Sequence, residues 1–183
     1  EAEEYFCYGA DDGNLDYYIL GGETMAEVIK NYTYLTGRTP LPQLWTLGYH
    51  QSRWGYTSAK DIMEIAEKYR KLQIPCDVIH LDIDYMDNFK VFTWDEEYYD
   101  KKGVLCDKME QLGFKPVTII DPGTKKEDGY FMYEEGVEKG YFAKDTEGNI
   151  YVNEVWPGES VFPDFGRKEV RDWWADHHKE LLD

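Results

Sequence analysis

The stretch Val78-Ile79-His80-Leu81-Asp82-Ile83-Asp84-Tyr85-Met86 decides the fold. A short run, apolar except for His80, leads directly into two carboxylates. A run of this kind suits a strand covered on both faces, as in a parallel sheet. The polar residues that follow it then mark the carboxyl end of the strand. Two similar units flank it. Upstream, Trp45–Tyr49 reads as a strand that ends in His50-Gln51-Ser52-Arg53-Trp54-Gly55-Tyr56. Downstream, Val117–Ile120 reads as a strand that ends in Asp121-Pro122-Gly123. The strand starts recur at roughly 35 residues, the length of a strand, a helix and their loops.

Helices fill the gaps. Ser58 is placed to cap a helix whose stripe is Ile62, Ile65, Ala66, Tyr69 and Leu72. A second covers about 101–112, with Val104, Leu105, Met109 and Leu112 facing inward and Gly113 ending it. Alternating strands and amphipathic helices give an α/β fold, either a (βα) barrel or an open doubly wound sheet. In both, ligands bind at the carboxyl ends of the strands.

Farther out the pattern changes. Residues 4–8 and 15–20 read as two short strands around the turn Ala10-Asp11-Asp12-Gly13-Asn14. Thr24-Met25-Ala26-Glu27 is a capping box before a stripe of Met25, Val28, Ile29, Tyr32 and Leu35, stopped by Gly37. Pro40 and Pro42 form a stiff connector. After the third strand, residues 121–166 are a long insertion rich in Gly, Asp and Tyr, with a hairpin tip at Asp145-Thr146-Glu147-Gly148-Asn149. Long insertions at strand ends tend to carry function. A last helix spans about 168–182, with Val170, Trp173, Trp174, His177 and Leu181 inward and His177 held at the edge by a structural partner.

Composition narrows the chemistry. The 183 residues carry a formal charge of −17, which disfavours nucleic acid and anionic membranes. No stretch reaches the roughly 18 apolar residues of a membrane span. Cys7, Cys76 and Cys106 have no metal-binding spacing, nor do the four histidines, so no metal and no cofactor are expected. The odd cysteine count and the acidic opening suggest the cytoplasm, with secretion left open. Aromatics make up 16% of the chain, which suits either sugar stacking or a thick core.

Asp82 and Asp84 are two apart, so on a continuing strand they share a face. Such a pair can bind a cation, share a proton or accept sugar hydroxyls. Asp84 could instead pair with Arg53 as a buried ion pair. An apolar strand ending in Asp-x-Asp also marks Mg-dependent haloacid-dehalogenase-type phosphatases. That motif usually continues with Thr and stands on the first strand, whereas here Tyr85-Met86-Asp87 follows and the strand is second.

Taken together, these stretches resemble glycoside hydrolase family 31. Leu81-Asp82-Ile83-Asp84-Tyr85-Met86 is similar to its second-strand signature, preceded by Leu41-Pro42-Gln43-Leu44-Trp45-Thr46-Leu47-Gly48-Tyr49-His50 and followed by Phe92-Thr93-Trp94-Asp95. Ile119-Ile120-Asp121-Pro122-Gly123 looks like its third-strand end, although many relatives have Ala where this chain has Gly123, a change expected to loosen the loop. Val155-Trp156-Pro157-Gly158 and Phe162-Pro163-Asp164-Phe165 look like its active-site excursion, and Leu15-Asp16-Tyr17-Tyr18 like the last strand of its N-terminal β-sandwich.

The resemblance implies a partial (β/α)8 TIM barrel, its first three βα units, preceded by a β-hairpin remnant of the sandwich. Residues 1–22 would end the sandwich, 23–43 connect, and 44–183 begin the catalytic barrel. It implies a retaining, exo-acting α-glucosidase, with a small α-glucoside as substrate. Asp82 would accept hydroxyl hydrogen bonds, Ile83 and Ile119 would line the pocket, and Trp156 would form a wall. Arg53, Asp84 and Asp121 would be structural neighbours. The family's nucleophile lies in a Trp-x-Asp-Met-Asn-Glu type motif absent from these 183 residues. By the resemblance it would follow a fourth strand beyond Asp183, with the acid/base farther on. Neither catalytic carboxylate is then expected here. The partner would be the rest of the barrel, and exposed edges would favour self-association. A non-catalytic structural role is the contrasting expectation.

Overall fold

The computed structural model describes residues 4–182 except 6 and 11. Asp183, where the barrel segment 44–183 is expected to reach the limit of this sequence, lies outside the described residues. The chain divides after Pro42 into two compact units.

In the first unit, α1 (Met25–Thr36) opens with the expected capping box: Thr24 accepts from the Glu27 amide, and the Glu27 carboxylate accepts from the Thr24 amide. Asn31 Nδ2 donates to the Gly21 carbonyl at 2.8 Å and fixes the segment entering the helix. The expected hairpin is not formed. Residues 15–20 have no strand pairing, nor do the described residues of 4–8; Phe6 and Asp11 lie outside the described set. Two strands with no third to pair with are marginal. The α1 stripe is exposed at Met25, Ile29, Tyr32 and Leu35.

The second unit holds the parallel sheet. β1 (His50–Gln51), β2 (Val78–Leu81) and β3 (Lys115–Thr118) lie in that order. His50 pairs with Val78, and Val78 in turn with Lys115, both in parallel. α2 (Ala59–Lys71) and α3 (Lys102–Gln111) make the returns. Ser58 caps α2 by accepting from the Asp61 amide at 3.2 Å. Ile62 and Ala66 of α2 and Leu105 and Met109 of α3 pack in the core with Ile79 and Leu81. Val104 is exposed, contrary to expectation.

Two strands differ from the sequence-based boundaries. Leu44–Leu47 forms a 3-10 turn, and the strand begins only at His50. Leu44 and Leu47 are exposed, so their apolar character does not report sheet burial. β3 starts at Lys115 and includes Pro116, which lies on the side of β3 that pairs with no strand among the described residues.

Arg70 bolts the amino end of this sheet. Its Nε donates to the Leu112 carbonyl at 2.6 Å, and its Nη2 to the Cys76 and Gly113 carbonyls at 2.9 and 3.2 Å. The guanidinium also lies 3.7 Å from the centre of the Phe114 ring.

The insertion folds into its own layer. β4 (Thr124–Lys125), β5 (Val152–Val155) and β6 (Gly158–Val161) form an antiparallel sheet with β6 central, and α4 (Phe131–Glu138) sits between β4 and β5 in sequence. Asp145 Oδ1 accepts from the Glu147 and Asn149 amides, making the expected hairpin tip. Gly136 within α4 has a reason: a Cβ there would lie 2.2 Å from the Phe142 ring.

The last helix breaks at His178 into α5 (Lys168–His177) and α6 (Lys179–Leu182). Val170 and Trp173 are buried, and His177 has the structural partner expected of it. That partner is Glu135 of α4, whose Oε2 accepts from Trp173 Nε1 at 2.7 Å, lies 3.3 Å from His177 Nε2 and 3.2 Å from Lys139 Nζ. The Trp173 bond, with Lys139 and His177, holds the Glu135 carboxyl below its usual range.

Glu135→Ala strips the buried indole of its acceptor and should cost about 1–2 kcal/mol in urea unfolding at pH 7, the partial exposure of Glu135 limiting the loss. A depressed carboxyl stabilises the fold above its unfolded pKa, so the gap between parent and variant should close as pH falls through the carboxylate range. Equal stability at pH 7 would show that α4 and α5 are held by packing alone.

Candidate functional site

Parallel pairing brings the carboxyl ends of β1, β2 and β3 to one rim, as the strand ends imply. Beyond β2 the chain turns at once. Asp82 is extended, with φ −79° and ψ −179°, and its Oδ1 accepts from the Ile83 amide at 2.8 Å, starting a single 3-10 turn over Ile83–Tyr85. That bond uses one carboxylate oxygen and leaves Oδ2 without a protein donor among the described residues. Asp82 is half-buried.

The turn ends strand alternation, so Asp84 need not share a face with Asp82. The expected ion pair is also absent: Arg53 is exposed and makes no ion pair with Asp84. Asp84 Oδ2 is instead buried without a partner. Burial first, then the neighbouring Asp82 charge, pushes the Asp84 carboxyl above its usual range. The loop after β1 carries Arg53 outward into solvent, and the charge of Asp84 goes unanswered by it.

Ile83 is 5% exposed and sits in the main core, whereas Ile119 is 37% exposed at the rim. Tyr85 is the residue that sequence reading missed. It is fully buried, and its hydroxyl donates to the Ile119 carbonyl at 2.9 Å, joining the end of β2 to the end of β3. Burial, with Asp121 adding to it, raises the Tyr85 pKa to about 12, so the phenol stays a donor at any working pH. A large aromatic directly after Asp-Ile-Asp was the available signal.

The loop beyond is tightly held. The Asp95 amide donates to the Tyr85 carbonyl at 2.8 Å, and Lys90 bridges Asp87 and Glu127 at 2.8 and 3.1 Å. Asn88, Phe89 and Phe92 all have positive φ, a strain of about 1–3 kcal/mol each. Phe92 is repaid by burial, with its ring 4.9 Å from Trp174 and 5.2 Å from His178.

Trp156 and Pro157 form the two-residue turn between β5 and β6, with Trp156 68% exposed. Trp54, in the loop after β1, is equally exposed. It was not singled out from the sequence, where it was one of six tryptophans. Gly123 does not loosen its loop. A Cβ there would lie 2.9 Å from Val155 Cγ2 and 3.6 Å from Phe162 Cε1, so glycine permits the hairpin bearing Trp156 to close onto the end of the third strand unit.

Residues 39–183 match the glycosyl hydrolases family 31 TIM-barrel domain. The chain belongs to glycoside hydrolase family 31. It is 45% identical over 182 residues to alpha-glucosidase 2 of Bacillus thermoamyloliquefaciens, covering 100% of this chain and 23% of that protein. It is 36% identical to human neutral alpha-glucosidase AB, over 91% of this chain and 18% of that one. Among solved structures, a DNJ-bound glucosidase II alpha subunit aligns with a TM-score of 0.82 at 37% identity, over 87% of this chain and 18% of its own. A glucose complex of the Flavobacterium johnsoniae dextranase aligns with a TM-score of 0.80 at 32% identity, over 88% of this chain and 20% of its own. The chain therefore spans about a quarter or less of these family 31 relatives. Membership in the family sets aside the phosphatase reading of Asp-x-Asp.

Two substitutions test the site's architecture. Asp84→Asn removes a buried charge that has no ion-pair partner, so it should spare the roughly 3–5 kcal/mol loss that breaking a buried ion pair would bring. A carboxyl raised in the fold destabilises once charged, so the variant should match or exceed the parent at pH 7 and lose that advantage as pH falls through the carboxylate range. Thermal unfolding at pH 7 and pH 4 reads both, and a large loss at pH 7 would mean that Asp84 has an ion-pair partner after all. Gly123→Ala should cost about 1 kcal/mol, because the atom it meets is the end of an exposed Val155 side chain that can move; an unchanged Tm would mean that the hairpin does not rest there.

Proposed function

We propose that this chain is the opening part of the catalytic barrel of a retaining, exo-acting α-glucosidase, its first three βα units, and that it supplies one side of a glucose pocket. The observation that carries this reading is Asp82. Its carboxylate stands at the carboxyl end of β2 with one oxygen anchored to its own turn and the other open at the rim. A fixed, half-buried acceptor of this kind suits sugar hydroxyls, because charge-assisted hydrogen bonds are short and orient the ring. Ile119 offers apolar surface beside it, and Trp156 and Trp54 offer exposed aromatic faces for the C–H side of a sugar. The names of the relatives support the substrate class: alpha-glucosidases, and a dextranase complexed with glucose.

Retaining hydrolysis needs two carboxyl groups about 5 Å apart, one as nucleophile and one as acid/base. The motif that bears the nucleophile in this family does not occur in these 183 residues. In this reading Asp82 binds, and the two reacting carboxylates come from barrel segments beyond Asp183, which pair along the open edges of β1 and β3. The 183 residues alone should then fail to turn over a chromogenic α-glucoside, and clear turnover would place a reacting carboxylate at or before Asp183. The contrasting possibility is a stretch that supports the barrel without touching sugar.

Asp82→Asn separates the two. In the whole enzyme it keeps shape but removes charge, and each lost charge-assisted bond is worth about 1.5–3 kcal/mol. That predicts a roughly 10- to 150-fold fall in kcat/KM for α-glucosides with little change in Tm. An unaltered kcat/KM would leave β2 with a purely structural part.

A further inference from the structure

Beneath the rim, two histidines face each other across neighbouring strands. His50 Nδ1 of β1 lies 3.1 Å from His80 Nε2 of β2, and the rings are 5.4 Å apart. The other nitrogen of His50, Nε2, lies 3.1 Å from the Thr46 carbonyl oxygen. A carbonyl can only accept, so His50 Nε2 must carry a hydrogen. When His50 is neutral, its Nδ1 is therefore a bare lone pair, and the bond between the rings must be donated by His80 Nε2. Geometry alone fixes both tautomers.

The same geometry fixes the proton capacity. If His50 gains a proton, its Nδ1 becomes a donor, and His80 must present a bare Nε2 by moving its hydrogen to Nδ1. The bond survives with its direction reversed. If both rings are charged, two N–H groups point at each other across 3.1 Å and the bond is lost. We propose that the His50–His80 pair is a one-proton latch that joins β1 to β2 beneath Asp82 and releases when a second proton arrives.

The latch matters because the backbone tie it supplements is short. β1 pairs with β2 at only two positions, His50 with Val78 and Gln51 with Ile79. β1 leads directly into the loop bearing Arg53 and Trp54, and His80 stands two residues before Asp82 on the same face of β2. Release would let the first loop of the rim move relative to Asp82.

The surroundings favour a small proton load. Trp45 stacks on His50 at 6.4 Å and brings no charge. On β3 the residues opposite His80 and its neighbours are Pro116, Val117 and Thr118, all neutral, and Lys115 is engaged by Glu110. The carboxylates flanking β2 itself are Asp77 and Asp82, while those of α2 and α3 (Asp61, Glu64, Glu67, Asp107 and Glu110) belong to helices that pack on Ile79 and Leu81, the residues that alternate with His80. Burial, followed by the His50 charge, holds the His80 imidazole below its usual range. A base depressed in the fold stabilises it fully above the unfolded pKa of about 6.5 and loses that stabilisation as pH falls from there to the folded value.

The test follows individual imidazoles by exchange of their C2 hydrogens in the whole enzyme, assigned to His50 and His80 by mass spectrometry after digestion. The pair should take up its two protons in two separate steps rather than together. His50→Gln keeps a polar side chain but removes the like charge, so the His80 midpoint should rise. Thermal unfolding supplies a second readout. Between pH 7.5 and pH 5 the parent should lose about 2–4 °C more than His80→Gln, which has no second proton to take up. The proposal is overturned if both histidines titrate independently near about 6.5, if the His80 midpoint ignores His50→Gln, or if His80→Gln leaves the acid sensitivity of the Tm unchanged.

Discussion

Parallel pairing places one demand on the chain: each strand must be carried back to the same end before the next can begin. Everything at the rim depends on meeting it. Arg70 marks the place where the demand is met. Its single guanidinium takes carbonyls from Cys76, just ahead of β2, and from the turn between α3 and β3, and it covers Phe114 as well. With the amino ends of β2 and β3 bolted there, the four-residue register from Val78 to Leu81 runs unbroken to the other end. Asp82 and Ile119 emerge side by side as a consequence, and Tyr85 closes the gap between them.

The rim is built from strain and compensation rather than from regular structure. Three residues after the Asp-Ile-Asp turn hold positive φ, and two of them are phenylalanines. They stay there because Lys90 fastens the loop to Glu127 and because Phe92 is enclosed by the aromatic face of α5. That face is positioned in turn by the Glu135 carboxylate. A continuous set of contacts thus runs from the last helix, through the insertion, to the loop that follows Asp82.

The sequence disclosed most where the physics is local. The capping box at Thr24 and Glu27, the Ser58 cap and the β2 run from Val78 to Leu81 depend on neighbours within a turn or on burial from both sides, and each was readable. The failures share another cause. Trp45–Tyr49 has strand-like residues, but pairing with β2 begins only at His50, so the preceding residues coil into a 3-10 turn. Asp84 and Arg53 have opposite charges, yet whether they meet is set by the path of a loop. Tyr85 does its work through a carbonyl 34 residues away, which no periodicity reports. The residues at 15–20 read as a strand and form no strand pairing among the described residues. The residues proposed for the site by resemblance, Asp82 and Trp156, sit at a strand end and in a turn, where sequence pattern alone says least.

Pro116 has a consequence for what can stand beside this sheet. The Lys115 amide donates to Asp77 and the Ile119 amide to Leu81, so the odd-numbered residues of β3 face β2 and the even-numbered ones face outward. Pro116 is one of the outward positions and has no hydrogen to give. A newcomer aligning along the outer side of β3 therefore meets a gap in the ladder at its amino half and an intact donor only at Thr118. Indiscriminate templating by foreign strands, the first step of fibril growth, is penalised there. A neighbour that engages the carboxyl half alone, level with Asp82, escapes the penalty.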